Sequence, residues 1–282
     1  MISRFAPSPT GALHLGHAFA AIVAHDLARA SGGLFRLRFE DIDTTRVRNE
    51  FYAAIEDDLH WLGLTWDGPA LRQNTPARSA AYAQALNQLI DLQAAYPCFC
   101  TRKEIELEIA GLAQAPHGPE GHLYPGTCRP LTPSQRATLL EANTPHCWRL
   151  NAATAADIAG TLTFNDLLHG QQSVDPSLLG DVILARKDIA TSYHLAVVID
   201  DAAQQITHVT RGDDLLPSTH VHRLLQTLLA LPVPAYLHHP LVCDPSGRRL
   251  AKRHDSLSLA SLRSSPSLTP ESLRTLLPPL PW

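Results

Sequence analysis

The period of the apolar positions changes several times along this chain, and each change marks an element. The chain opens with an apolar strand start. Pro7, Pro9 and Gly11 then turn it into an Ala-rich helical stretch, Ala18 to Ala30, closed by Ser31-Gly32-Gly33. Leu34 to Glu40 alternates apolar and polar residues, the period of a strand. Asn49 to Leu62 reads as a helix stopped by Gly63. Thr75 to Ala95 reads as another, with Thr75 as N-cap and Pro76 in its first turn. Strands alternating with helices predict an α/β fold, a parallel sheet covered by helices.

At Tyr96 the pattern breaks. A Gly/Pro-rich stretch over residues 98–130 carries Cys98, Cys100 and Cys128, and short strands and turns are expected from there to about Asp181. Apolar runs then return at Val182–Ala185, Leu195–Ile199 and Ile206–Thr210, each read as a strand. A helix is expected from about Thr219 to Ala230, and a short helical pattern around Pro270–Leu277.

Composition narrows the class. The chain has 282 residues, 45% of them hydrophobic and 18% charged, which suits a globular protein of one large domain or two modest ones. Its net charge of −4 advertises no global affinity for nucleic acid. Local basic patches remain open and would be built from arginine, because Lys103, Lys187 and Lys252 are the only lysines. There is no apolar run long enough to span a bilayer and no visible secretion signal, so a cytoplasmic location is expected. Five cysteines fit reduced thiols better than a disulfide framework.

Five constellations carry candidate chemistry. Pro7-Ser8-Pro9-Thr10-Gly11-Ala12-Leu13-His14-Leu15-Gly16-His17 brings two histidines to a helix start. Backbone N–H groups and the helix dipole favour an anion there, and the P-loop pattern is absent. Arg248-Arg249-Leu250-Ala251-Lys252-Arg253 is a cationic loop able to close over a leaving pyrophosphate. Glu40-Asp41-Ile42-Asp43-Thr44-Thr45-Arg46 lies at a strand's carboxyl end, where open α/β sheets bind ligands. Tyr193–Asp201 and Ile206–Leu216 place polar residues at the ends of apolar runs. Cys98, Cys100 and Cys128 offer three thiolates for a tetrahedral zinc site. Taken singly, each has a plainer reading: a helix start, a solvated loop, an acidic helix N-terminus, buried strands, small buried thiols.

Together these segments resemble the class I aminoacyl-tRNA synthetases, from Arg4 to about His254. The proline-rich histidine turn resembles the HIGH motif, and Arg249–Arg253 loosely resembles KMSKS, with Arg for the first Lys and Ala for the Ser. Asp41-Ile42-Asp43-Thr44-Thr45-Arg46 resembles the Asp-x-Asp-x-x-Arg segment of the glutamyl branch. Within that branch the chain is similar to the short glutamyl-Q tRNA(Asp) synthetase family. Where that family usually has glutamine after Ser218-Thr219, this chain has His222.

The resemblance implies a Rossmann-like class I catalytic domain split over residues 1–97 and 182–244. It implies an inserted zinc-binding, acceptor-type module over 98–181. Residues 245–282 would hold the KMSKS-like loop and a short C-terminal tail. Only 29 residues, 254–282, follow Arg253, so no anticodon-binding domain is expected. The resemblance further implies that His14, Gly16, His17 and Lys252 bind ATP, with His14, His17 and Lys252 catalytic. Arg4, Ala6, Ser8, Glu40, Tyr193 and Arg211 would bind glutamate. Cys98, Cys100, Tyr124 and Cys128 would hold one Zn²⁺, with His117 and His122 as rivals for the fourth place. Mg²⁺ would accompany ATP. The implied activity is adenylation of L-glutamate and transfer of the glutamyl group to queuosine of tRNA(Asp) by a monomer. The alternatives are a truncated synthetase charging the 3′ end of tRNA(Glu), a small-molecule nucleotidyltransferase, and a non-catalytic tRNA-binding paralogue.

Overall fold

A computed structural model of the chain describes residues 1–111, 117–118, 121–243, 258–264 and 268–282. β1 (Ile2–Phe5), α1 (Leu15–Ala30) and β2 (Leu34–Phe39) form a parallel βαβ unit in which Arg4 lies opposite Arg36. After α2 (Asn49–Trp61), β3 (Leu71–Arg72) joins the far edge of β2. α3 (Pro76–Asp91) begins where expected, with Thr75 Oγ1 accepting the Arg78 N–H at 3.3 Å. It ends earlier than Ala95: Gln93 turns the chain at φ 57°, and residues 95–98 become β4 (Ala95–Cys98).

The stretch that follows is richer in helix than the sequence pattern suggested. It holds α4 (Arg102–Gly111), the short pair β5 (His117–Gly118) and β6 (Gly121–His122), α5 (Pro133–Glu141), β7 (Cys147–Leu150) and α6 (Ala152–Ala159). Next come the hairpin β8 (Thr163–Asp166) and β9 (Gly170–Ser173), then β10 (Ile183–Ala185). β4, β7 and β10 make an antiparallel sheet of their own, whereas β8 pairs with β12 (Ala235–His239) of the main sheet.

One expected strand is a helix. Leu195–Ile199 lies within α7 (Tyr193–Ala203), which starts after Ser192. A short apolar run is buried equally well by either element, and here the run packs against α3 and α8 (Leu216–Leu228), so hydrophobicity alone did not discriminate. The other two runs are strands, β10 and β11 (His208–Gly212).

β11 and β12 are parallel, and β11 lies beside β1: the Thr207 N–H donates to Ile2 O at 2.9 Å, and Arg4 reaches Thr210 O. The parallel order is therefore β3-β2-β1-β11-β12, and the chain reverses its direction of winding between β1 and β11. A crevice opens outside the carboxyl ends of strands at such a point.

Both faces of this sheet are covered. Phe35, Leu37 and Phe39 pack with Ile22, Ile55 and Leu59 on one side. Alternation sets Arg38 on the polar face of β2, yet Arg38 is fully buried, because α7 covers that face and answers the charge with Asp201. The C-terminal helices α9 (Leu259–Arg263) and α10 (Pro270–Thr275) insert Leu259 and Leu273 into the first cluster. No helix among the described residues is long and apolar enough to cross a membrane.

The α2–α9 seam contains a mismatched charge. Burial pushes the Asp58 carboxyl up to about 6, although Arg263 lies 3.5 Å away. The folded chain thus holds a proton that the unfolded chain releases between about pH 4 and pH 6. The associated stability is intact at acid pH and is lost as pH rises through 6. Asp58→Asn should therefore raise unfolding free energy by on the order of 1–2 kcal/mol at pH 7.5 and hardly at all at pH 4. Urea denaturation at the two pH values checks this; equal gains at both would contradict it.

Candidate active site

The crevice at the β1–β11 switch is a cavity of about 450 Å³. Its floor is the turn after β1. His14 is the N-cap of α1 in extended conformation, and its Nδ1 accepts the Gly16 N–H at 3.2 Å. His17 Nδ1 in turn accepts the His14 N–H at 3.2 Å. Both rings therefore carry their hydrogen on Nε2, the ring centroids are 3.8 Å apart, and both line the cavity. A Cβ on Gly16 would meet His14 Cε1 at 3.2 Å, so the glycine keeps the first turn open to the imidazole.

Arg4, Glu40, Tyr193 and Arg211 line the same cavity, with Ala6 and Gly16. Arg4 is held from behind. Its Nε donates to Asp201 Oδ1 at 2.9 Å and its Nη1 to Thr210 O at 3.1 Å. The remaining hydrogens, on Nη1 and Nη2, keep a two-pronged edge for a carboxylate. Arg38 shares Asp201 at 2.7 Å and approaches Glu40 at 3.5 Å. Burial pushes the Glu40 carboxyl above its ordinary range against the pull of Arg38 and Arg4. Burial also raises Tyr193, whose hydroxyl accepts from Arg211 Nη1 at 3.2 Å.

Arg211 is buried, and four of its five N–H groups are engaged. Its Nε donates to His238 Nε2 at 3.1 Å, Nη1 also reaches His222 Nδ1 at 3.2 Å, and Nη2 donates to Thr219 Oγ1. His238 must then carry hydrogen on Nδ1, which donates to Asp166 Oδ2 at 2.6 Å. Asp166 therefore balances Arg211 through an intervening imidazole.

A second chamber of about 740 Å³ adjoins the first and shares Phe5, Ala6, His17, Glu40 and Tyr193 with it. Its outer wall carries Ser8, Thr10, Arg46 and Arg186, and Arg186 reaches Asp43 at 3.4 Å. Ser8 thus lies in the second chamber and not in the first. Within the acidic segment, Asp41 is structural: it accepts from Tyr52 Oη at 2.6 Å and from the Asn74 N–H at 2.8 Å.

The three predicted thiols converge. Cys98, Cys100 and Cys128 place their Sγ atoms within 4.8 Å of one another. Tyr124 Oη lies 3.4 Å from Cys98 Sγ and 3.6 Å from Cys100 Sγ, and Cys100 and Cys128 Sγ are 3.4 Å apart. Tetrahedral Zn²⁺ with bonds near 2.3 Å separates its ligands by roughly 3.8 Å, so the cluster fits that ion with slight expansion. His122 is exposed on the wall of a neighbouring cavity, and the His117 side chain lies outside the described residues. Cys147 faces Cys98 across the β4–β7 pair. Cys243 is exposed and stands apart.

A family model, "tRNA synthetases class I (E and Q), catalytic domain", matches residues 1–273. The chain belongs to the class I tRNA synthetases of the E and Q type. Among curated relatives, the glutamyl-Q tRNA(Asp) synthetase of Rhodobacter capsulatus is 47% identical over 98% of this chain and 99% of its own length. That of Symbiobacterium thermophilum is 43% identical over 97% and 84%. Among solved structures, the glutamate-tRNA synthetase of Elizabethkingia anophelis superposes with a TM-score of 0.77 at 32% identity, covering 90% of this chain. This chain spans about half (52%) of that protein's length.

In this synthetase catalytic domain, Lys252 and the KMSKS-like segment Arg249–Arg253 lie outside the described residues. Sequence reasoning missed Arg38, Asp201, Thr219, His238 and Asp166, which hold the arginines in place. A polar residue inside an apolar helix (Asp201) and an arginine flanked by Leu37 and Phe39 were the available signals. Asp201→Ala should cost about 3–5 kcal/mol of stability, because it strands two buried guanidiniums. A loss below about 1 kcal/mol in urea denaturation would show that solvent reaches the pair.

Proposed function

We propose that this synthetase joins L-glutamate to ATP as glutamyl-adenylate and passes the glutamyl group to queuosine at the wobble position of tRNA(Asp). The carrying observation is the polarity of the first cavity. An arginine edge (Arg4) and a half-buried carboxyl (Glu40) face one space, next to two imidazole donors at a helix N-terminus. An amino acid with a side-chain carboxylate matches that arrangement, with its ammonium toward Glu40 and its carboxylate toward Arg4. A glutamine amide would leave the guanidinium poorly paired. The names of the end-to-end relatives support the RNA acceptor.

In this reading a glutamate α-carboxylate oxygen attacks the α-phosphorus in line. The Pα–O–Pβ bond breaks and pyrophosphate leaves. His14 and His17 donate to phosphate oxygens through Nε2, while Lys252 meets the leaving group. Mg²⁺ arriving with ATP adds charge neutralisation. Little covalent chemistry falls to the protein, so positioning and charge stabilisation dominate. A ring hydroxyl of queuosine then attacks the acyl carbon, AMP departs, and the hydroxyl proton is released. Cys98, Cys100, Tyr124 and Cys128 would hold a Zn²⁺ that would fasten the inserted module.

The test combines labelled glutamate, ATP and bulk tRNA from queuosine-competent and queuosine-deficient cells. Label on tRNA(Asp) from the competent stock alone is expected. It should be lost when the queuosine diol is oxidised beforehand. Label on tRNA(Glu) from both stocks would mean a minimal synthetase, and no label would move weight to a binding paralogue. Lys252→Ala and His17→Ala should each slow glutamate-dependent pyrophosphate exchange by roughly 10²–10³; a loss under about threefold removes the assigned role. Metal analysis should find one zinc per chain, and Cys128→Ser should abolish tight binding.

A further inference from the structure

The side of Arg211 away from His238 carries an arrangement that the proposed chemistry does not use. His222 Nδ1 lies 3.2 Å from Arg211 Nη1, and His222 Nε2 lies 3.2 Å from His194 Nδ1. Arginine has donors and no acceptor, so His222 Nδ1 must accept. A neutral His222 then has its one hydrogen on Nε2, which donates to His194 Nδ1. By the same logic His194 carries its hydrogen on Nε2. The tautomers of both rings are thus dictated by the guanidinium. His222 is buried and His194 is partly buried. Burial and the Arg211 charge disfavour a second proton on either ring, with His194 held down at about 4.

The chain of donors ends in the second chamber. His194 lines it with Ser8, Thr10, Arg46 and Arg186, and no described residue accepts from His194 Nε2. We infer that His194 is a specificity-determining residue whose Nε2–H, fixed by the Arg211–His222 relay, recognises an acceptor oxygen on the second substrate. The donor sits at the end of a cationic relay, which favours a carbonyl or phosphate oxygen over a neutral nitrogen. The fixed tautomer also spares the side chain any reorganisation on binding. The same guanidinium touches Tyr193 in the first cavity, so one arginine orders a donor in each chamber.

The inference rests on the proposed function, in which the first cavity takes glutamate, and it assigns the adjoining second chamber to the RNA acceptor. Two measurements separate its failure from failure of that reading. Long-range proton–nitrogen correlation of ring-labelled protein at pH 7, assigned with His194→Gln and His222→Gln, reports the tautomers without substrate. Both rings should be neutral and protonated on Nε2. A charged His194, or one protonated on Nδ1, overturns the relay whatever the protein catalyses. In the transfer assay, His194→Phe should raise KM for queuosine-containing tRNA(Asp) roughly threefold to tenfold, the worth of one hydrogen bond. KM for glutamate should move less than about twofold. His194→Gln keeps an acceptor toward His222 and an N–H toward the chamber, and should restore most of the loss. Equal defects in Phe and Gln variants, or equal shifts in both KM values, would mean a packing role only. Absence of glutamate-dependent exchange in the unsubstituted protein would instead sink the functional reading and leave the tautomer result standing.

Discussion

The Asp201 carboxylate lies between two buried guanidiniums, Arg4 at 2.9 Å and Arg38 at 2.7 Å, and the placement of the whole pocket depends on that bridge. A charge withdrawn from water is tolerated when it is paired and hydrogen-bonded, and each of these three groups needs the others. The bridge binds the ends of β1 and β2 to α7. Docking α7 in this way sets Tyr193, at its N-terminus, against Arg211 at the end of β11. The neighbouring Asp200 repeats the device toward α3, accepting from Tyr82 at 2.8 Å and Gln73 at 2.7 Å and pairing with Arg78 at 2.5 Å. Two adjacent carboxylates on one helix thus tie α7 to β1 and β2 on one hand and to α3 on the other.

Given that clamp, the site lies where sheet topology leaves space. β1 and β11 diverge into connections on opposite sides, and the crevice between their carboxyl ends receives side chains from six stretches of chain: 4–6, 14–20, Glu40, Tyr193, 210–215 and 239–242. The cationic and anionic groups inside it are not evenly mixed. Arg4 and Arg211 present donors, Glu40 presents the accessible carboxyl, and Asp201 and Asp166 sit behind the arginines as counter-charges. A zwitterionic ligand therefore meets an ordered field rather than a patch of average charge.

The stretch over residues 98–181 is tied to this frame by apolar packing, with Leu150, Ala155 and Leu179 in one cluster with α3, α7 and α8, and by a set of polar contacts. Asp181 accepts from Tyr96 at 2.5 Å, from Arg129 at 2.6 Å and from the Ala152 N–H at 3.0 Å, binding β4, the cysteine loop and α6 together. Lys187 Nζ donates to Cys100 O at 3.1 Å, and Arg186 reaches across to Asp43. The thiol cluster forms the small core around which these ties close, which is the setting where a metal contributes most to folding.

Local signals in the sequence were enough for the features that depend on local chemistry. The proline turn, the helix start with its two histidines, the Thr75 cap and the spacing of Cys98, Cys100 and Cys128 can be read within windows of a few residues to a few tens. The histidine turn also marked one wall of the crevice, since His14 and His17 both line that cavity. What could not be read was the partner of each buried charge, the burial of Arg38, and the helical state of Leu195–Ile199. Arg4 meets Thr210 across 206 positions of sequence, and Arg38 meets Asp201 across 163. Such pairs leave no periodic trace, and an apolar run of five residues fills a buried strand or a buried helix equally well. The amino-acid sequence by itself determined the elements of the first ninety or so residues, the turn chemistry and the candidate ligands. Tertiary structure alone decided which charges face each other and where α7 lies, since that choice is made by desolvation between segments that only folding brings together.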